Sequence, residues 1–175
     1  MKTLIAALVL IPAISASAQT PDPMAANPVT ETARMFLAEH SDSIGQAATL
    51  MPAEKYAYHP TPAQMTFGAL MQHVAQTNVR LCSAIAGSAV PPANTPANEA
   101  KAALVTAVSE SFKTCQAALA KLTDSQMTEM VEIGGNKVPR GYVLMTIVAD
   151  WADHYSTAAS YLRLNGILPP TARRQ

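Results

Sequence analysis

The chain has 175 residues, with 12 lysines and arginines against 12 aspartates and glutamates, so its formal net charge is zero. This balance gives no electrostatic reason to expect nucleic acid or an anionic membrane as a partner. The length suits one domain with its own core. Alanine and leucine outnumber the β-branched residues that strands favour, which indicates a mainly helical fold.

The N-terminal segment, residues 1–18, is typical of a secretory signal peptide. Lys2 supplies a positive charge, residues 3–14 form a short apolar run, and residues 16–18 give the small-x-small cleavage pattern. The run is too short to cross a bilayer comfortably, and residue 19 is not the cysteine of a lipoprotein. We therefore expect a periplasmic or secreted protein of 157 residues, without a membrane anchor after cleavage.

Two helices are predicted in the first half of the mature chain. Residues 19–27 form a flexible lead-in, and the first helix runs from Pro28 to about Leu50 with apolar residues at helical spacing. Prolines make the segment 52–64 irregular. The second helix covers Thr66–Ala86, and its inward stripe consists of Leu70, Val74, Thr77, Leu81 and Ile85.

Two further helices are predicted in the second half. The third runs from about Asn98 to Leu122, and Gly134-Gly135-Asn136 then marks a tight turn. The fourth begins near Pro139 and ends at Asn165-Gly166, where glycine can adopt a left-handed C-terminal cap. Four long helices in one small domain predict an all-α four-helix bundle over residues 28–170, followed by a tail at residues 171–175.

The two cysteines, Cys82 and Cys115, constrain the arrangement of the helices. An even number in an exported protein indicates a disulfide, and two separate buried thiols are the alternative. Each lies 16 or 17 residues after the start of its helix, whereas an antiparallel hairpin would separate the sulfurs by about 18 Å. The connection Gly87–Pro96 can span the roughly 30 Å that a parallel pair requires. A disulfide therefore predicts an up-down-down-up bundle.

Three side chains on the second and fourth helices form a candidate metal site. His73 lies on the inward side of the second helix, while Asp150 and His154 have the i, i+4 spacing that brings two side chains onto one ion. Two histidines and one carboxylate would leave coordination positions open, as in catalytic sites. The alternative is that the histidines are hydrogen-bonded core residues and that Asp150 only fixes a tautomer.

Two segments resemble the DinB-like (DinB/YfiT) family: Tyr56–Ala75, YAYHPTPAQMTFGALMQHVA, and Asp150–Pro170, DWADHYSTAASYLRLNGILPP. The resemblance implies an up-down-down-up four-helix bundle with a divalent metal, held by one histidine on the second helix and an H-x-x-x-H pair on the fourth. His73 would be the first ligand and His154 the last. Asp150 stands where the family usually has a histidine, and a carboxylate can ligate zinc, nickel, manganese or iron.

Other side chains are weaker candidates for the same site. His40 faces inwards on the first helix, and Tyr155 and Tyr161 could line the pocket, although core packing is the alternative for all three. His59 lies in a loop, where we expect it to be exposed. Asp153, which directly precedes His154, could replace Asp150 if the helix were rotated.

The resemblance implies a metal-binding protein, and we expect a metal-dependent hydrolase acting on a small molecule outside the cytoplasm. Family members include thiol-dependent transferases and isomerases, but their low-molecular-weight thiols are chiefly cytosolic. The alternative function is a non-catalytic bundle that binds a small ligand or a partner and has lost the metal. Bundles of this family often pair, so a homodimer is a further expectation.

Overall fold

The computed structural model describes residues 22–91 and 100–173. Its helices are α1 (Pro23–Ala26), α2 (Pro28–Leu50), α3 (Phe67–Ala86), α4 (Lys101–Ala120), α5 (Arg140–Leu164) and α6 (Pro170–Arg173). Two strands, β1 (Met130–Ile133) and β2 (Asn136–Pro139), precede α5, and short 3-10 helices lie at Ala53–Lys55 and Asp124–Gln126. The predicted signal peptide and the predicted start of the third helix at Asn98 lie outside the described residues.

Local sequence sets where the long helices begin and end. Pro28 occupies the first turn of α2, where a backbone N–H would have no acceptor within the helix, so proline loses no hydrogen bond there. The Thr66 hydroxyl caps α3 by accepting a hydrogen bond from the backbone N–H of Ala69 at 3.1 Å. Gly87 and Gly166, with φ of +67° and +73°, end α3 and α5 in the left-handed region. The four predicted helices are confirmed, with small shifts at their ends.

The core between these helices contains the side chains that the helical spacing placed inwards. Every residue of the predicted stripe on α3 is at most 4% exposed: Leu70, Val74, Thr77, Leu81 and Ile85. Trp151 on α5 is fully buried and is the largest side chain in the core. The apolar surface that these helices remove from water is the main favourable contribution to folding.

Contacts between helix ends show how the helices run. Arg34 near the start of α2 donates hydrogen bonds to the carbonyls of Leu119 and Leu122, both at 2.7 Å, so α2 and α4 are antiparallel. The Tyr161 hydroxyl near the end of α5 donates to the carbonyl of Met65, just before α3, at 2.9 Å. Helices α3 and α5 are therefore antiparallel too. Each of α2 and α3 packs against both α4 and α5, which closes the bundle.

Cys82 and Cys115 form a disulfide that joins α3 to α4. Both residues are fully buried, and their Cα atoms lie 5.0 Å apart. Because each is near the fifteenth residue of its helix, the bond places α3 and α4 side by side in the same direction. The structure is thus the up-down-down-up four-helix bundle that the sequence predicts.

An antiparallel hairpin lies between α4 and α5, where the sequence predicts only a tight turn. Gly134 and Gly135 form its two-residue loop with φ of +57° and +78°, and Ile133 pairs with Asn136 across the loop. The predicted turn is present, but the flanking strands are missed. Each has only four residues, and only Val131 is buried, so neither shows an alternating pattern long enough to recognise.

The segments that flank the bundle contain short helices. In the described part of the predicted lead-in, residues 19–27, Asp22 caps the single turn of α1. The predicted tail, residues 171–175, begins inside α6, where the Thr171 N–H donates to the Tyr155 hydroxyl at 3.0 Å. These turns depend on individual capping contacts, which leave no periodic pattern in the sequence. No helix in the two described ranges is both long and apolar enough to span a membrane.

Candidate metal centre

His73 on α3 and the pair Asp150 and His154 on α5 lie together in the bundle. Each offers one ligand atom, an imidazole nitrogen or a carboxylate oxygen, and these atoms all lie within 4.8 Å of one another. The antiparallel packing of α3 and α5 brings the seventh residue of α3 beside the middle of α5. The three predicted ligands thus form one cluster, the only such group of histidine, cysteine and acidic side chains within residues 22–91 and 100–173.

One ring nitrogen of His154 is hydrogen-bonded to the backbone of its own helix. Its Nδ1 lies 2.8 Å from the backbone carbonyl of Asp150. Because a carbonyl oxygen only accepts, Nδ1 carries the proton and Nε2 of the neutral ring has a free lone pair. The carboxylates of Asp150 and Asp153 are 3.8 and 3.6 Å from Nδ1, too far for good hydrogen bonds. The backbone of α5 therefore sets the tautomer that suits metal ligation.

The His73 ring stacks on the His154 ring. Their centroids are 4.9 Å apart and their planes differ by 13°, so one ion can reach a nitrogen of each. The Thr77 hydroxyl, one turn along α3, is 3.5 Å from His73 Nε2. At that distance the hydroxyl forms at most a weak bond and leaves the nitrogen available to a stronger partner.

The Asp150 side chain is only 20% exposed, and its Oδ2 is buried with no hydrogen-bond partner among the described residues. Burial raises the pKa of Asp150 above its usual value, although His154 and His73, when protonated, and Arg80 act in the opposite direction. A buried carboxylate oxygen without a donor is unfavourable, and a cation beside it would satisfy it. Two imidazoles and a carboxylate suit a divalent transition metal. The residues present therefore fit a metal ion.

A buried chain of hydrogen bonds fixes α5 against α3 and α4 beside the cluster. Trp151, the neighbour of Asp150, donates from Nε1 to Asn78 Oδ1 at 2.7 Å. Asn78 Nδ2 donates to Ser111 Oγ at 3.0 Å, and that hydroxyl donates to the Val108 carbonyl at 2.7 Å. No sequence pattern singles out Asn78 as the partner of Trp151. The sequence does place the Asn78 amide among the inward-facing residues of α3, and a buried amide requires a hydrogen-bond partner.

The two other histidines lie outside the cluster. His40 is buried in α2, its Nδ1 lies 2.9 Å from the Phe36 carbonyl, and its ring meets the Tyr155 ring edge-on. His59 is exposed in the loop before α3, with Nδ1 2.7 Å from the Thr61 carbonyl. These contacts make His40 a packing residue and leave His59 at the surface.

The remaining candidates also have other roles. The Tyr155 hydroxyl donates to Thr171 Oγ1 at 2.8 Å, so it holds α6 to the bundle. Tyr161 is a buried core residue that ties the end of α5 to the start of α3. The Asp153 side chain is 79% exposed and does not belong to the cluster.

Comparison with known proteins identifies the fold and the family. The described fold resembles a DinB-like protein of Bacillus cereus, with a TM-score of 0.64 and 16% identity over 80% of this chain and 95% of that one. A DinB-like protein of Bacillus subtilis gives 0.63 and 20% identity over 80% and 92%. A conserved protein of Enterococcus faecalis gives 0.62 and 16% identity over 78% and 96%.

No curated protein shows a significant match to the chain. The family model of the DinB superfamily matches residues 36–158, a range that contains all three residues of the cluster. Since that range is more than half of the chain, the protein belongs to the DinB superfamily.

Proposed function

We propose that the protein binds one divalent metal ion through His73, Asp150 and His154. The observation that carries the proposal is the convergence of three ligand atoms within 4.8 Å, one of them on a carboxylate whose Oδ2 has no hydrogen-bond donor among the described residues. His154 would ligate through Nε2, since Nδ1 is bonded to its own helix. This set of donors is compatible with zinc, nickel, manganese or iron.

We infer further that the protein is a hydrolase acting on a small molecule. Three protein ligands leave coordination positions open, which is typical of catalytic rather than structural sites. A metal ion held there would acidify a water molecule and polarise a substrate oxygen. The chain itself positions the metal ligands. The Asp150 carbonyl keeps the proton on His154 Nδ1. Asn78 accepts a hydrogen bond from Trp151, which holds the ligands of α5 beside His73.

The metal content of the purified protein tests this proposal. Wild type reconstituted with zinc, nickel or manganese is expected to hold one ion per chain, and His73→Ala and His154→Ala are expected to hold none. His59→Ala, which removes an exposed histidine outside the cluster, is the matched control and should keep the ion. One ion per chain in both ligand variants would disprove the site. A wild type that binds no metal would favour the non-catalytic bundle instead.

The hydrolase part of the proposal has its own test. Metal-loaded wild type is expected to hydrolyse at least one member of a panel of small esters, amides and phosphodiesters, and chelation should abolish that rate. A metal-loaded protein with no chelator-sensitive rate on any member would refute the hydrolase while leaving the metal site in place.

We also propose that the protein is exported and loses residues 1–18. The leader pattern supports export, and so does the buried Cys82–Cys115 disulfide, because such bonds persist mainly outside the reducing cytoplasm. The mass of the protein recovered from the periplasm or medium of an expressing bacterium should place the N-terminus at Gln19. Full-length protein confined to the cytoplasm would refute export.

A further inference from the structure

A cavity of about 640 Å³ opens between the end of α3, the β1–β2 hairpin and the start of α5. Two arginines, Arg80 and Arg140, line it, and Glu132 is the one acidic residue among the described residues of its wall. The volume lies within the range of small-molecule sites. Arginine is the side chain best suited to holding a carboxylate or a phosphate, because its planar guanidinium can donate two parallel hydrogen bonds.

Arg140 lines this cavity and is not fully hydrogen-bonded by the described residues. Its side chain is only 12% exposed, and one terminal nitrogen forms an ion pair with Glu129 at 2.9 Å. Its Nε is buried and has no acceptor in the described part of the chain. A buried N–H without an acceptor is rare in folded proteins, and the side chain that carries it lines a space large enough for a ligand. Glu129 therefore neutralises the charge of Arg140 without using all of its hydrogen bonds.

Arg80 lines the cavity and lies on the same helix as His73 of the metal cluster. It lies seven residues after His73, so the two share a face of α3 and are separated by about 10 Å along the helix. On α5, Arg140 and Asp150 are ten residues apart, or about 15 Å. The cavity and the cluster thus follow one another along the same pair of helices.

We infer that this cavity binds the anionic group, a carboxylate or a phosphate, of a small substrate whose reacting bond reaches the metal cluster. The inference rests on the proposed function and adds the class of substrate. The spacing selects an elongated molecule with its anionic group roughly 10 Å from the reacting bond. Because Glu129 and Glu132 offset the two positive charges, recognition depends on paired hydrogen bonds to the guanidinium groups more than on net charge.

Binding of inorganic phosphate and of succinate to metal-free protein tests the cavity. Both probes are expected to shift the Nε resonance of Arg140 in spectra of ¹⁵N-arginine-labelled protein. Arg80→Gln and Arg140→Gln should each weaken binding at least tenfold. Arg163→Gln, which removes an exposed arginine from the other end of α5, should not. Equal affinity in wild type and Arg80→Gln, or the same loss in Arg163→Gln, would overturn the inference.

Metal content separates this result from a failure of the metal site. Arg80→Gln is at an exposed position and should fold and bind metal like wild type, so loss of phosphate binding with metal retained isolates the cavity. His73→Ala should show the reverse, with phosphate bound and metal lost. Phosphate binding by a wild type that takes up no metal would refute the metal site alone. Metal uptake without phosphate or succinate binding would refute the anion site alone.

Discussion

Asp150→Asn is expected to weaken metal binding by on the order of 100-fold or more and, at the same time, to stabilise the metal-free protein. Loss of an outer partner of a ligand already reduces metal affinity about 10–100-fold, so loss of a ligand should exceed that. In the metal-free state Asp150 Oδ2 is buried without a donor from residues 22–91 or 100–173, and burial raises the pKa of the carboxyl, so the fold disfavours the charged form. Removing that charge should add roughly 0.5–2 kcal/mol to the free energy of unfolding.

Urea unfolding with chelator and with added metal measures both effects. Without metal, Asp150→Asn should unfold at a higher urea concentration than wild type. With metal, the order should reverse, because only wild type gains binding energy. Asp153→Asn is the control, since it removes an exposed carboxylate from the same helix. A metal-free Asp150→Asn protein less stable than wild type would show that the carboxylate is held by contacts within the fold and is not reserved for a ligand.

Replacing both Cys82 and Cys115 by alanine is expected to reduce the free energy of unfolding by about 3–4 kcal/mol. The bond joins residues 33 positions apart, and without it the unfolded chain regains the freedom of that loop. The bond also fixes α3 against α4, and α3 carries His73. We therefore expect the double variant to remain helical, because the core stripe of α3 is intact, but to unfold more readily.

Equilibrium urea unfolding checks this value. Wild type unfolded and refolded in the presence of a reductant is the informative control, because it lacks the bond but keeps both sulfur atoms. If loop closure is the cause, reduced wild type and the double alanine variant should have similar free energies of unfolding. A difference of under about 1 kcal/mol between oxidised and reduced wild type would show that the bond contributes little to this fold.

The bundle can be predicted from the sequence because its helices have periodic apolar residues and because a disulfide joins two of them. The α3 stripe is buried as its spacing requires, and glycine ends α3 and α5 where the pattern stops. The parallel direction of α3 and α4 follows because Cys82 and Cys115 lie at similar distances from the starts of their helices. The hairpin before α5 is different, since its four-residue strands depend on pairing with each other and leave no comparable pattern.

The same distinction holds for the site. His73, Asp150 and His154 can be found from the sequence because i, i+4 spacing on one helix and a position beside the apolar stripe of another are local properties. Asn78 could not be identified as the partner of Trp151, since 73 residues separate the two side chains in sequence. Arg80 and Arg140 come together only because the hairpin closes the cavity between their helices. Contacts of this kind depend on tertiary packing and not on any local pattern.

Anomalous diffraction at the zinc absorption edge, from crystals of the zinc-loaded protein, tests the metal site most directly. We predict one strong peak inside the bundle, about 2.0–2.2 Å from His154 Nε2, a ring nitrogen of His73 and a carboxylate oxygen of Asp150. A peak bound instead by His40 or His59, or fully loaded protein with no peak between α3 and α5, would contradict the account.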